Sequence, residues 1–124
     1  MSNGSDLLKT YLLTLTSITD VAGSRIYTDE APAQVRQACI VVQNIGGDNI
    51  SDGLIIARPL IQISCYSHDK AESNKLASAV INSLGKYSGL MDDTYVVSTY
   101  QSDQIFRTNG WWHAPVDVLL KYEY

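Results

Sequence analysis

The residues of this chain that could do chemistry are two histidines, two cysteines, and scattered serines and carboxylates. His68 stands three residues after Cys65, and His113 follows the pair Trp111-Trp112. A thiol near an imidazole could act as a nucleophile, but nothing in the flanking text points to a lowered thiol pKa. A serine hydrolase would need its serine on a sharp turn. No Gly-x-Ser-x-Gly elbow occurs, and no serine stands in a strand-turn-helix setting. The histidines and cysteines lack the Cys-x-x-Cys or His-x-x-x-His spacing of a zinc site. Asp48-Asn49-Ile50-Ser51-Asp52-Gly53 faintly resembles a calcium loop, but Ile50 and Pro59 occupy its third and twelfth positions, where oxygen ligands are needed. Gly46-Gly47 precedes a strand-like segment, with no Gly-Lys-Ser/Thr after it, so it is no phosphate loop. The reading is a protein that is not an enzyme, with no catalytic residue, no cofactor and no metal.

What remains is contact chemistry. Trp111-Trp112 could stack bases or sugars. The nine basic residues never cluster, however, and the net charge is −4, which argues against tight nucleic-acid binding. Packing at a fold or subunit edge is the better use of the pair. Arg107, Trp111, Trp112 and His113 are therefore candidate interaction residues, and so are Asp48, Asn49, Ile50 and Asp52 in a cluster of turn formers. Cys39 and Cys65 each lie in an apolar run and read as small buried hydrophobes rather than a disulfide.

These side chains must be positioned by a small domain. The 124 residues, 45% hydrophobic and 18% charged, suit one globular unit over 1–124 with residues 1–5 frayed. No apolar run is long enough to span a membrane, and no leader pattern opens the chain, so an intracellular protein is expected. Leu7, Leu8, Tyr11, Leu12, Leu15 and Ile18 form one stripe, predicting a helix over 6–18 that ends towards Gly23. Ile26-Tyr27 then dips into the core, and Ala31-Pro32 turns the chain.

The run at 38–45 predicts a strand, 46–53 a turn, and 54–66 a second strand closing an antiparallel hairpin. Pro59 cannot donate to a ladder, so it predicts an edge or a bulge. Asp69-Lys-Ala-Glu72 has capping-box spacing and opens a second helix to Leu84, with Ala77, Val80, Ile81 and Leu84 buried and Ala71 and Leu76 at its margins. Gly85 and Gly89 punctuate its exit. Strands at 95–105 and 115–124 follow, joined through a turn at Asn109-Gly110. The expected fold is α+β in the order α-β-β-α-β-β, a four-stranded mostly antiparallel sheet with two helices packed on one face. Eight Tyr and two Trp exceed what one helical layer can bury, so the other sheet face is expected to meet a second subunit.

The helix, then Val21-Ala-Gly-Ser-Arg-Ile-Tyr27, Ala31-Pro32 and Ala38-Cys-Ile-Val-Val42, resembles the tail-terminator and tail-completion proteins of long-tailed bacteriophages. The likeness continues through Arg58-Pro-Leu-Ile-Gln-Ile-Ser-Cys-Tyr66 and the helix from Asp69 to Leu84. It implies a minor tail protein that caps the head-proximal end of the tail tube as a homo-oligomeric, hexameric ring. Such a ring ends tube polymerisation and offers the head a docking surface. Its implied partners are copies of itself, the tail tube protein and a head-completion or neck protein. The implied location is the virion, after assembly in the host cytoplasm. The family supplies no catalytic residue, and the 46–53 segment and the Trp pair match none of its features. A head-tail connector subunit remains the alternative, as does a small-ligand-binding α+β module.

Overall fold

The computed structural model describes residues 4–32, 37–51, 55–91, 94–108 and 110–123. Helices α1 (Gly4–Leu12) and α2 (Thr16–Ala22) lead into strand β1 (Ile26–Thr28). Strands β2 (Cys39–Ser51) and β3 (Ile55–Ser67) precede helix α3 (Lys70–Leu84). Strands β4 (Lys86–Met91), β5 (Thr94–Asp103), β6 (Phe106–Thr108) and β7 (Trp111–Glu123) complete the described elements. The seven strands form one sheet in the order β1-β2-β3-β7-β5-β4, with β6 paired to the first residues of β7. All pairings are antiparallel except β1 with β2.

Seven strands in a mixed sheet and three helices replace the expected four strands and two helices. Each difference has a local cause. The single helix expected over 6–18 is two, because the chain breaks at Leu13–Leu15. There Thr14 Oγ1 donates to Tyr11 O at 2.6 Å, and the backbone amides of Thr14 and Leu15 reach back three residues to Tyr11 and Leu12. A Thr hydroxyl that bonds the backbone competes with the helical ladder. The apolar stripe survives the break: Leu7, Leu8, Leu12 and Ile18 are buried, with Tyr11 and Leu15 packed against them. Gly23, at φ 59°, ends α2 as anticipated, its amide donating to Thr19 O at 2.8 Å.

The Ile26-Tyr27 anchor is a short parallel strand opposite Ile40 and Val41. The segment after α3 is strand β4 rather than a glycine-marked exit, with Gly89 held opposite Val96. The turn expected over 46–53 is mostly strand: β2 runs on to Ser51, each residue from Gly46 facing a partner in β3. Cross-strand pairing thus overrides the turn preference of Gly, Asn and Asp. Pro59 marks no edge. It lies in β3, between β2 and β7, where the ladder to β7 skips Arg58 and Pro59. The register shift falls on the other strand, at Ile45 of β2, between Asn44 and Gly46.

The core lies between the helices and one face of the sheet. Ile40 and Val42 of β2, Ile61, Ile63 and Cys65 of β3, and Val116, Val118 and Leu120 of β7 are all fully buried there. The approach of α1 is close: a Cβ added at Gly4 would lie 3.0 Å from Pro59 Cγ and 3.3 Å from Ile61 Cδ1. Two hydroxyls fasten α3 to the sheet, Ser73 Oγ donating to Cys65 O at 2.8 Å and Ser98 Oγ to Leu84 O at 2.7 Å. On α3 itself Leu76 is fully buried rather than marginal, Ile81 is half-buried and Ala71 is exposed.

Truncating Ile63 to Ala removes a fully buried side chain between α3 and the sheet, and about 3 kcal/mol of stability is expected to go with it. Val97→Ser, on the opposite face, should cost under about 0.5 kcal/mol. Urea denaturation checks both; equal losses would contradict this placement of the core.

Candidate interaction surface

The sheet face turned away from the helices carries the residues between the core positions. Registers place them in rows. At one end Tyr66, His113 and Phe106 lie side by side on β3, β7 and β6. The Tyr66 and His113 rings stack at 4.3 Å, and Phe106 meets His113 edge-on at 4.7 Å. A polar row follows: Gln43 and Gln62 are paired, and Gln62 Nε2 donates to Asp117 Oδ1 at 3.3 Å. Beyond it the face turns apolar again. Leu60 faces Leu119, and Tyr95 and Leu90 pair at the far corner. Leu90 is 66% exposed, Tyr95 61% and Val97 37%. Apolar side chains of this size on one uncovered sheet face are the feature of an interaction surface.

His113 is held within this face. Its Nε2 is buried without a hydrogen-bond partner, and burial pushes its pKa below the ordinary 6.5. The cause is desolvation, which disfavours the imidazolium.

A second cluster sits beside the aromatic row. The ring of His68 lies 3.8 Å from that of Trp111, and its Nδ1 is 3.1 Å from Gly110 O. A carbonyl can only accept, so Nδ1 carries the proton there. Lys70 Nζ stands 5.1 Å from the Trp112 ring centroid and Arg107 Cζ 5.8 Å, both within cation–π range. The α3 N-terminus positions the cluster. Asp69 Oδ1 accepts from Ala71 N at 3.0 Å, as an N-cap should. The second half of the expected capping box is rerouted. Glu72 accepts from the Ser67 hydroxyl at 2.6 Å, and that hydroxyl in turn accepts from Asp69 N at 3.1 Å.

The eight residues singled out by sequence thus fall into two groups. Arg107, Trp111, Trp112 and His113 come together where β6 meets β7. Asp48, Asn49 and Ile50 lie in β2 opposite Arg58, Ala57 and Ile56, and Asp52 lies outside the described residues. Nine residues of extended chain separate Asp48 from Cys39, so the groups stand about 30 Å apart at opposite ends of the sheet. Sequence reasoning missed Leu60, Leu90, Tyr95, Val97 and Phe106 as surface candidates. Their signal was available in part: Leu60 and Leu119 are apolar side chains on the wetter side of two alternating strands.

Cys39 and Cys65 are free and buried, and burial pushes the Cys65 thiol far above its ordinary range. Cys39 faces Tyr66 while Cys65 faces Ile40, so the two thiols lie on opposite sides of the sheet. Among the described residues no group of three or more His, Cys, Asp or Glu could hold a metal ion. A cleft of about 380 Å³ opens between Arg25 and the start of α3. Its guanidinium is engaged in structure, Nε donating to Ala38 O at 2.8 Å and Nη2 to Val21 O at 3.2 Å. No helix of the described residues is long and apolar enough to cross a membrane.

No protein-family model matches the chain, and no curated protein does. Solved structures do. A chain from the virion of a native gene transfer agent (GTA) particle superposes with a TM-score of 0.78 at 13% identity, covering 99% of this chain and 100% of that one. A second solved chain superposes at 0.58 and 11% identity, over 99% of this chain and 97% of its own. At such identities the likeness is one of fold.

Because the folded pKa of His113 lies below 6.5, the unfolded chain takes up this proton first as pH falls. Stability should therefore decline as pH drops from about 6.5 towards the folded value, and His113→Phe should remove that part of the decline. Thermal melts between pH 7.5 and 5 check it. An unchanged pH slope in the variant would contradict a neutral His113 with a buried Nε2.

Proposed function

We propose that this protein is a structural component of a phage-like particle, a tail-terminator-type subunit that forms a ring at the head-proximal end of the tail tube. The observation that carries the reading is the end-to-end superposition on a chain of a virion particle, 99% of one on 100% of the other. The order of motifs from Val21 to Leu84 supports the narrower assignment, because it resembles tail terminators at the helix end, the Ile-Tyr anchor and the second helix. The exposed Leu90, Tyr95 and Val97 fit a protein that works by burying surface against neighbours.

In this role the chain would act by shape. A ring built from heterologous contacts closes when the rotation between copies closes, and it then presents one surface to the tube and another to the head. The net charge of −4 suits a channel through which DNA must slide without being held.

Electron micrographs of particles assembled without this chain test the reading. Tails of uncontrolled, excessive length, restored to a uniform length by supplying the chain, are expected. Tails of normal length that fail only to join heads would favour a connector subunit. Normal, infectious particles would overturn both.

A further inference from the structure

The geometry points to the two free edges of the sheet as the contact between neighbouring copies, with β4 of one copy pairing alongside the outer part of β2 of the next. This inference rests on the ring reading and specifies which surface builds the ring.

The sheet ends in two different edges. On one side β1 covers only Ile40–Val42 of β2, and its last backbone bond runs from Asp29 N to Val42 O. Among the described residues nothing pairs with the outer edge of β2 beyond that point, although the strand continues to Ser51. On the other side, among the described residues, β4 pairs with β5 alone, so no strand lies along its outer edge from Lys86 to Met91, and within β4 the Tyr87 hydroxyl donates to Leu90 O at 3.1 Å. An open edge is a row of backbone donors and acceptors set to pair with another strand.

Three observations make these edges fit one another. The first is direction. Four antiparallel steps separate β2 from β4, so the two strands run the same way, and a neighbour related by rotation about the strand direction presents β4 parallel to β2. The second is level. Gly46, Leu60, Leu119, Thr99 and Lys86 are successive partners across the sheet, and so are Asn49, Ala57, Tyr122, Val96 and Gly89. The free part of β2 and the whole of β4 therefore lie on the same rungs. A copy moved sideways meets its neighbour with full overlap and no slide along the strands.

The third is surface chemistry. Lys86 opens β4, and in this pairing it falls at the end of the free β2 segment nearest the exposed Asp29 and Glu30. Leu90 on β4, level with Ile50, and Ile45 on β2, next to the rung of Lys86, are 66% and 46% exposed and stand at the two ends of the seam. Natural edge strands are usually kept short, charged or covered. A leucine left this exposed on an edge has its use in being covered by the next chain. Contacts of this type are heterologous, so they make a closed ring or an open array according to the rotation between copies.

Cysteine cross-linking tests the pairing. Rungs place Ser88 of one copy beside the position of Asp48 in the next, within the span a disulfide bridges. The double variant Asp48→Cys/Ser88→Cys should give a reducible ladder of covalent oligomers under mild oxidation. Gln43→Cys/Ser88→Cys, about 15 Å out of register, should give none. The native Cys39 and Cys65 are buried and should stay silent. On the unsubstituted chain, amide hydrogen exchange should slow together at 44–51 and 86–91 on assembly, which reads the edges without any substitution. No ladder from the first pair, an equal ladder from both, or unchanged exchange at both edges would overturn the inference. Rings seen in micrographs with any of those results would leave the ring reading standing and the edge pairing refuted. Absence of rings even on tail tubes would refute both.

Discussion

Backbone pairing along β3 is the constraint on which the rest of this structure depends. The strand is bonded on both sides, to β2 over nearly its whole length and to β7 from Ile56 to Ser67, so its register sets which residues of three strands face the helices. A slip of one residue would turn Ile61, Ile63 and Cys65 outwards and put Gln62 and Ser64 into the core. That exchange would bury the half-exposed Gln62 and carry the already buried Ser64 into the apolar core while exposing fully buried aliphatic side chains, so the pairing and the core specify each other. The ladder to β7 skips Arg58 and Pro59, where Pro59 has no amide to donate and its ring lies close to Gly4 of α1.

From that constraint follows the asymmetry of the molecule. Three helices cover one face, and the Ser73 and Ser98 hydroxyls fasten one of them, α3, to the sheet. The other face keeps an aromatic row around His113 at one end and Leu90, Tyr95 and Val97 at the other, with the Gln43–Gln62–Asp117 row between. The same registers leave two strand edges open at matching levels. A protein whose proposed work is assembly needs shape and complementary surface rather than a tuned nucleophile. The pKa shifts of Cys65 and His113 both have burial as their first cause.

Much of this was legible in the residues, and the misses have physical reasons. The long amphipathic stripe from Leu7 to Ile18 and the Asp69 cap are local features, and both appear, although a Thr hydroxyl divides the stripe into two helices. The hairpin strands were legible because β-branched runs and alternation act locally. Strands β1, β4 and the outer part of β2 were not, since Gly46, Gly47, Asp48 and Gly89 carry turn propensities that only long-range pairing overrides. Pro59 misled for the same reason, as its missing donor is absorbed by two skipped rungs rather than by an edge. At the candidate surface, the Trp111–Trp112 corner and the 48–52 segment drew attention by composition. The exposed apolar residues of β4 and β5 became visible only once their register put them on one face.

The proposed ring requires this fold to meet copies of itself in a closed arrangement. Native mass spectrometry of the purified chain over rising micromolar concentrations, with and without tail tubes, tests it most directly. The account predicts one discrete oligomer whose subunit number stays constant as concentration rises. A chain that stays monomeric throughout, or a series that grows without limit, would contradict it.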